Sequence, residues 1–305
     1  MDGLRRDDFM IPESQYRHLG ASGIKVSPLG TGTNKWWKGR NDEAVFQTFH
    51  SLVDVGVNFF DTAEAYSFGK SESLIGDCLK RDPRPVVIGS KFAPYPTRFL
   101  RRQFMSALDG SLKRLGRQVI DLYYLHFPSP LPSIGTVMDM MAKAVEAGKI
   151  RAVGVSNFSA DQMYDAADRL EKYGIPLAAN EVRYNLFHRQ PEVNGVLDAC
   201  RKLNVALVAY RPLEGGRLAV SPTSQKGKAA SKEEAIQETL QRVAQQRGKG
   251  VSQVTLNWML RRDEHVIPIP GSTHANHALD NVDALIWRLS DDEFAAIDQV
   301  SSPTD

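Results

Sequence analysis

Cysteine is nearly absent: the 305 residues hold 2, Cys78 and Cys200, far apart and within segments of helical spacing. That scarcity excludes a disulfide scaffold, and the separation leaves no spacing for a zinc or dithiol redox motif. An excess of one charge is lacking as well. Lys plus Arg is 38 and Asp plus Glu is 36, a net +2, without the basic stripe of a nucleic-acid or membrane-surface protein. The local run Arg98, Arg101 and Arg102 reads as a solvated helix face. No apolar run approaches the roughly 18 residues of a spanning helix. The opening MDGLRRDDFMIPESQ has neither the apolar centre of a signal peptide nor the acid-poor composition of a transit peptide. These absences predict a cytoplasmic protein with reduced, buried thiols and with no nucleic-acid or membrane partner.

What is present is the composition of a globular chain, 42% hydrophobic and 24% charged, enough for a sizeable core. Residues 1–15 read as a flexible tail and 16–305 as one domain. YRHLGASGIKVSPLG, around Gly20 and Gly23, has the alternation of a small hairpin. Eight apolar runs then alternate with segments of helical period. They span Leu29–Asn34, Val57–Ala63, Pro85–Phe92, Ile120–Phe127, Ile150–Phe158, Leu177–Asn185, Val205–Leu213 and His265–Ser272. Between the first two runs, Val45, Phe49, Leu52 and Val53 fall on one helix face. Gly56 and Gly148 follow their helices as C-terminal stops, and Ser159 opens the helix after the fifth run as an N-cap.

Strands apolar at nearly every position, joined by single helices, predict a parallel sheet with both faces covered. Eight such units match a (β/α)8 TIM barrel with an N-terminal β-hairpin and extra helices at the C-terminus. The doubly wound alternative requires GxGxxG after the first strand, and Gly30-Thr31-Gly32-Thr33 falls short of it. A stretch rich in Ser, Lys and Gly, Val220–Ser231, reads as a looser insert.

In such a barrel the chemistry sits at the C-terminal strand ends. The second run, NFFDTAEAY, stops at Asp61 with Tyr66 in the loop beyond; the third ends at Lys91, the fourth at His126, the fifth at Ser156-Asn157. Each has a bland reading: a turn aspartate, a snorkelling lysine, a satisfied histidine, a packing tyrosine. Together they fit one task. A tyrosine titrating near pKa ~10 carries a proton at neutral pH. A lysine beside it favours phenolate, and a carboxylate keeps the lysine charged. A neighbouring histidine orients a carbonyl oxygen. Metal binding fits poorly, because the lysine would set a cation against a cation, and no metal is expected.

In these motifs, NFFDTAEAY, VVIGSKF, DLYYLHF and GKIRAVGVSNF, the chain resembles the aldo-keto reductases over nearly its whole length. Asp61, Tyr66, Lys91 and His126 match that family's catalytic tetrad in order. The resemblance implies reversible reduction of an aldehyde or ketone to an alcohol, with NADPH rather than NADH as hydride donor and Tyr66 as proton donor. It also implies a cofactor site. Ser156 and Asn157 would hold the carboxamide, Tyr210 would stack on the ring, Gly271, Ser272 and Thr273 would take the phosphates, and Asp280 and Asn281 would reach the adenine. Gly32, Thr33, Asn34, Asp61, Pro212 and Leu213 would complete that surface. Glu181 stands where the family commonly has Gln, and the implied consequence is a tighter hold on NADP+ relative to NADPH. His277 stands where many members place Arg on the 2′-phosphate. Arg211, where Ser is common, reads equally as a pyrophosphate contact or as a surface arginine. Trp36, Trp37, Tyr66, Tyr95, His126 and Phe127, with Phe99 nearby, fall where a substrate pocket would be. Those aromatics would suit an aromatic or apolar small-molecule carbonyl, or would brace the loops. Channel-associated members keep much of the tetrad, so a cofactor-binding regulatory module is the alternative. The oligomeric state is left open.

Overall fold

β-Branched and aromatic side chains recur in the apolar runs, and in the computed structural model every one of the eight forms a strand. The structure describes residues 10–36, 41–95, 98, 100–219 and 231–303. The hairpin comes first, with β1 Arg17–His18 antiparallel to β2 Lys25–Val26. The barrel strands follow: β3 Thr31–Gly32, β4 Phe59–Asp61, β5 Val87–Phe92, β6 Ile120–Leu125, β7 Ile150–Ser156, β8 Leu177–Arg183, β9 Ala206–Tyr210 and β10 Val266–Pro268. They lie parallel in chain order from β3 to β10. The two ends of the sheet meet where the Gly30 amide donates to the Pro268 carbonyl at 3.0 Å and the Thr31 hydroxyl to the Pro270 carbonyl at 3.2 Å. The result is a nearly closed (β/α)8 barrel.

The strands are shorter than the apolar runs that encode them. The last run, His265–Ser272, yields only three strand residues, because Pro268 and Pro270 have no amide to donate to a ladder. Helices start and stop on local chemistry. Ser159, Ser231 and Ser290 each accept from the third helical amide while Gln162, Glu234 and Glu293 reach back to the cap. Gly56 and Gly148 end their helices at positive φ. The helix Asp291–Ser301 follows the eighth unit, as its pattern predicts. Residues 220–230 of the expected insert lie outside the described residues; Ser231 is a helix cap. Packing begins before the expected boundary at residue 15. Ile11 is buried with its amide on the Val55 carbonyl, and Glu13–Gln15 forms a 3-10 turn.

The core has two layers. Inside the barrel lie Phe59, Val87, Leu122, Tyr124, Ala152, Val208 and Ile267, and the hairpin adds Leu19, Ile24 and Val26 to the same cluster. The hairpin therefore closes the barrel from below and leaves the C-terminal strand ends open. Tyr124 fits inside only because its neighbour lacks a side chain: a Cβ on Gly154 would stand 2.5 Å from the Tyr124 ring. The second layer packs strand exteriors against helices, with Phe49, Phe60, Phe104, Met141 and Trp258 among its wholly buried members. Both cysteines are buried and free. Among the described residues no helix is long and apolar enough to cross a membrane.

Candidate active site

Parallel register brings the ends of β4, β5 and β8 around one point. Asp61 ends β4, Lys91 is the fifth residue of β5, and Glu181 the fifth of β8. The Lys91 ammonium lies wholly buried, donating to Asp61 Oδ2 at 2.5 Å and to the Thr62 carbonyl at 2.9 Å. Its nitrogen is also 3.1 Å from Glu181 Oε2. Burial drags a lysine down, but the facing Asp61 and Glu181 carboxyls outweigh it and hold Lys91 above its ordinary value. The side chain is therefore held as an ammonium near neutral pH. Asp61 is raised by burial, with Lys91 pulling against the rise.

Tyr66 sits in the loop after β4, with the Lys91 nitrogen 5.1 Å from its ring centroid. The sequence predicts a phenol made more acidic by that lysine. The structure differs: burial is the largest influence, Asp61 and Glu181 add to it, and Lys91 offsets only part, so Tyr66 is raised above its usual value. Tyr66 therefore keeps its proton at rest. His126 follows β6 directly, and its ring meets that of Tyr66 edge-on at 5.8 Å. Burial, with the Lys91 charge, pulls His126 down to about 3. It is thus neutral, with one ring N–H to donate, and its Nδ1 has no partner among the described residues.

Around this group the strand ends supply polar atoms. The Ser156 hydroxyl donates to the Glu181 carbonyl at 2.9 Å, and the Asn157 amide donates to Ser156 Oγ at 3.0 Å and to the His126 carbonyl at 3.3 Å. The Tyr210 hydroxyl donates to Asn157 Oδ1 at 3.0 Å. Asn157 and Arg211 both hold positive φ, at 61° and 53°, an uncommon conformation for residues with side chains that is concentrated at functional sites. Arg211 is exposed, and its guanidinium stands 3.8 Å from Glu214. Pro212 is buried and Leu213 half-buried beyond it.

At the far side, Gly32 and Gly271 come close enough that a Cβ on Gly271 would stand 3.1 Å from the Gly32 carbonyl oxygen. Beyond Ser272 and Thr273 the helix Ala275–Val282 begins, and its cap residue His274 contributes no side-chain hydrogen bond. A helix start without a side-chain cap, reached over a glycine, suits phosphate groups. His277 is exposed on the first turn, its ring 5.7 Å from that of His274. Asp280 is half-buried and Asn281 buried on the same helix.

Two residues expected on this surface have other work. Trp36 is not a pocket wall: it is 1% exposed in the core, edge-on to Phe60, and its indole N–H donates to the Ser272 carbonyl at 2.7 Å. Thr33 is wholly buried, its hydroxyl on the Asp61 carbonyl at 2.9 Å. Asn34 is exposed. Trp37 and Phe99 lie outside the described residues. Tyr95 and Phe127 stay open, 45% and 38% exposed, with Phe127 5.8 Å from the His126 ring. Sequence reasoning missed the approach of Glu181 to Lys91. The signal was available, since Glu181 and Asp61 both lie near strand ends in a closed barrel. Among the described residues no cluster of His, Cys, Asp and Glu has metal-site geometry.

The aldo/keto reductase family model matches residues 28–302. The chain is similar to the 6-dehydroglucose reductase of Novosphingobium aromaticivorans, 31% identical with 95% of this chain and 96% of that protein covered. It is also 31% identical to the chloroplastic pyridoxal reductase of Arabidopsis thaliana, over 88% of this chain and 82% of the relative. Among solved structures, an aldo/keto reductase from Klebsiella pneumoniae in complex with NADP and acetate superposes with a TM-score of 0.79 at 28% identity, covering 94% of this chain and 96% of the other.

Proposed function

The chain belongs to the aldo/keto reductase family of oxidoreductases that act on carbonyl compounds, and from that premise we propose that it uses NADPH to reduce an aldehyde or ketone, Tyr66 donating the proton. The observation that carries this reading is the buried Asp61–Lys91 pair, 2.5 Å apart, set behind the Tyr66 ring. When bound, the cofactor supplies a hydride to the carbonyl carbon. The residues of the chain do the rest. Neutral His126 donates a hydrogen bond to the carbonyl oxygen and turns it toward Tyr66. The Tyr66 O–H bond breaks as the bond to the substrate oxygen forms, and the phenolate left behind faces the fixed Lys91 charge. Positioned proton transfer of this kind contributes ~10²–10⁴-fold in rate.

Ser156, Asn157 and Glu181 would hold the nicotinamide end and Tyr210 would stack on the ring. Gly271, Ser272 and Thr273, at the start of helix Ala275–Val282, would take the phosphates, with Asp280 and Asn281 at the adenine. The exposed Tyr95 and Phe127 favour an aromatic or apolar substrate. We place the protein in the cytoplasm, where buried thiols such as Cys78 and Cys200 stay reduced.

The test is carbonyl-dependent oxidation of NADPH, with NADH in parallel, across aromatic and aliphatic aldehydes. Tyr66→Phe is expected to lose ~10²–10⁴-fold in turnover while still binding cofactor. Cofactor binding without turnover on any carbonyl would overturn the reductase assignment in favour of a regulatory one.

A further inference from the structure

Lys91, Asp61 and Glu181 have side chains 0%, 2% and 3% exposed, with the lysine nitrogen 2.5 Å from Asp61 Oδ2 and 3.1 Å from Glu181 Oε2. If both carboxyls were ionised, this buried group would hold two negative charges against one positive. An uncompensated charge away from water is among the costliest arrangements in a protein. One ammonium cannot neutralise both: two of its three hydrogens go to Asp61 Oδ2 and the Thr62 carbonyl, and Glu181 Oε2 keeps an ion-pair contact at 3.1 Å.

The carboxyl groups of Asp61 and Glu181 converge on the same ammonium, with oxygens 2.5 Å and 3.1 Å from the Lys91 nitrogen. Asp61 Oδ1 and Glu181 Oε2 are both buried without a hydrogen-bond partner among the described residues. Two carboxylates offer only acceptors, so their contact is repulsive until one of them carries a proton. Three tyrosines also feel the Glu181 charge, Tyr66 in the loop after β4, Tyr124 on β6 and Tyr210 at the end of β9. None of these is a cation. On β7 the register partner is Ser156, whose hydroxyl donates to the Glu181 backbone.

We propose that Glu181 is a neutral carboxylic acid in the resting enzyme, donating its proton to Asp61 in a hydrogen bond, and that loss of this proton reverses the bias of the site. With the proton present, Asp61 and Lys91 balance, and a phenolate forming on Tyr66 meets no second negative charge. Without it, the Glu181 carboxylate opposes the phenolate and favours the cationic, oxidised nicotinamide. The consequence for catalysis rests on the reductase reading, whereas the position of the proton rests on the cluster alone. Burial and repulsion from Asp61, against the pull of Lys91, hold Glu181 well above the usual carboxylate range, in agreement with the geometry.

Infrared spectroscopy of the full chain tests the proton directly. A protonated-carboxyl C=O band is expected near neutral pH. It should shift on labelling the glutamate carboxyls with carbon-13, be absent from Glu181→Gln, and bleach only as pH is raised well above the usual carboxylate range. The label needs no variant, so a misfolded Glu181→Gln does not protect the idea. The ratio of NADP+ to NADPH affinity tests the consequence. In the wild type it should shift toward NADP+ as pH rises, by up to about tenfold per pH unit, the slope of one proton. In Glu181→Gln the ratio should stay flat. No such band, a band that moves with the aspartate label instead, or the same pH slope in both proteins would overturn the proposal. The band in a protein that reduces no carbonyl would support the proton's position and overturn the reductase reading.

Discussion

The rings of His126 and Tyr66 stand edge to face, 5.8 Å apart at 79°, so one loop and one strand end present a neutral imidazole and a protonated phenol together. Neither holds a charge at rest. Lys91, 5.1 Å from the Tyr66 ring centroid, is the fixed charge that both respond to. It draws the phenol toward ionisation and the imidazole away from protonation, while burial, which raises the phenol and lowers the imidazole, keeps the two from competing for one proton.

That arrangement sets a pH dependence of stability. His126 falls from 6.5 to about 3 on folding, so between those values the unfolded chain binds a proton that the folded chain refuses. Its contribution is intact above about pH 6.5 and is lost as pH falls, at up to about 1.4 kcal/mol per pH unit. Urea midpoints at neutral and mildly acidic pH, compared for wild type and His126→Gln, measure it. The wild type is expected to lose more stability on acidification. Equal losses would show that His126 is not held neutral.

Much of the barrel can be read directly from apolar runs and helix stops, because a strand covered on both faces has to be apolar at nearly every position. The run Ile120–Phe127 became β6 on that signal alone. The tetrad is legible for a related reason, since Asp61, Lys91 and His126 interrupt such runs where the barrel opens. What sequence could not give is direction and distance. Trp36 looks like a pocket aromatic until its indole is seen on the Ser272 carbonyl, and that contact joins positions 236 residues apart. Glu181 likewise acquires its meaning only when closure sets β8 opposite β4 and β5.

Trp36→Phe follows from that contact. The variant keeps an aromatic ring and deletes the N–H to the Ser272 carbonyl, leaving a buried acceptor unpaired. A loss of roughly 1–3 kcal/mol is expected, together with weaker cofactor binding through the 271–273 segment. Denaturant unfolding and cofactor titration read the two effects. A change in carbonyl preference with cofactor affinity unchanged would return Trp36 to the pocket.

The interior of the barrel offers a sterically defined test. A Cβ at Gly154 would lie 2.5 Å from Tyr124 Cδ1 and 2.8 Å from Cε1, and Tyr124 is wholly buried. Gly154→Ala is expected to cost about 1–3 kcal/mol, the usual range for overpacking. Shortening the neighbour in Gly154→Ala/Tyr124→Leu should recover part of it. A double variant no more stable than Gly154→Ala would place the cost in the backbone and not in the ring.

His277 tests the cofactor assignment from the phosphate end. It is exposed on the first turn of helix Ala275–Val282, where an imidazole offers fewer donors than a guanidinium and no permanent charge. A guanidinium there would supply charge and a planar fork of donors that matches phosphate. Charge-assisted hydrogen bonds contribute ~1.5–3 kcal/mol, so His277→Arg is expected to tighten NADPH by roughly tenfold or more. NADH, which lacks the 2′-phosphate, should gain little. The added affinity should also weaken with salt, because the new contact lies at the surface. Fluorescence titration of both cofactors at low and high ionic strength decides the matter. An equal gain for NADH would move the guanidinium to the pyrophosphate and leave the 2′-phosphate to be held elsewhere.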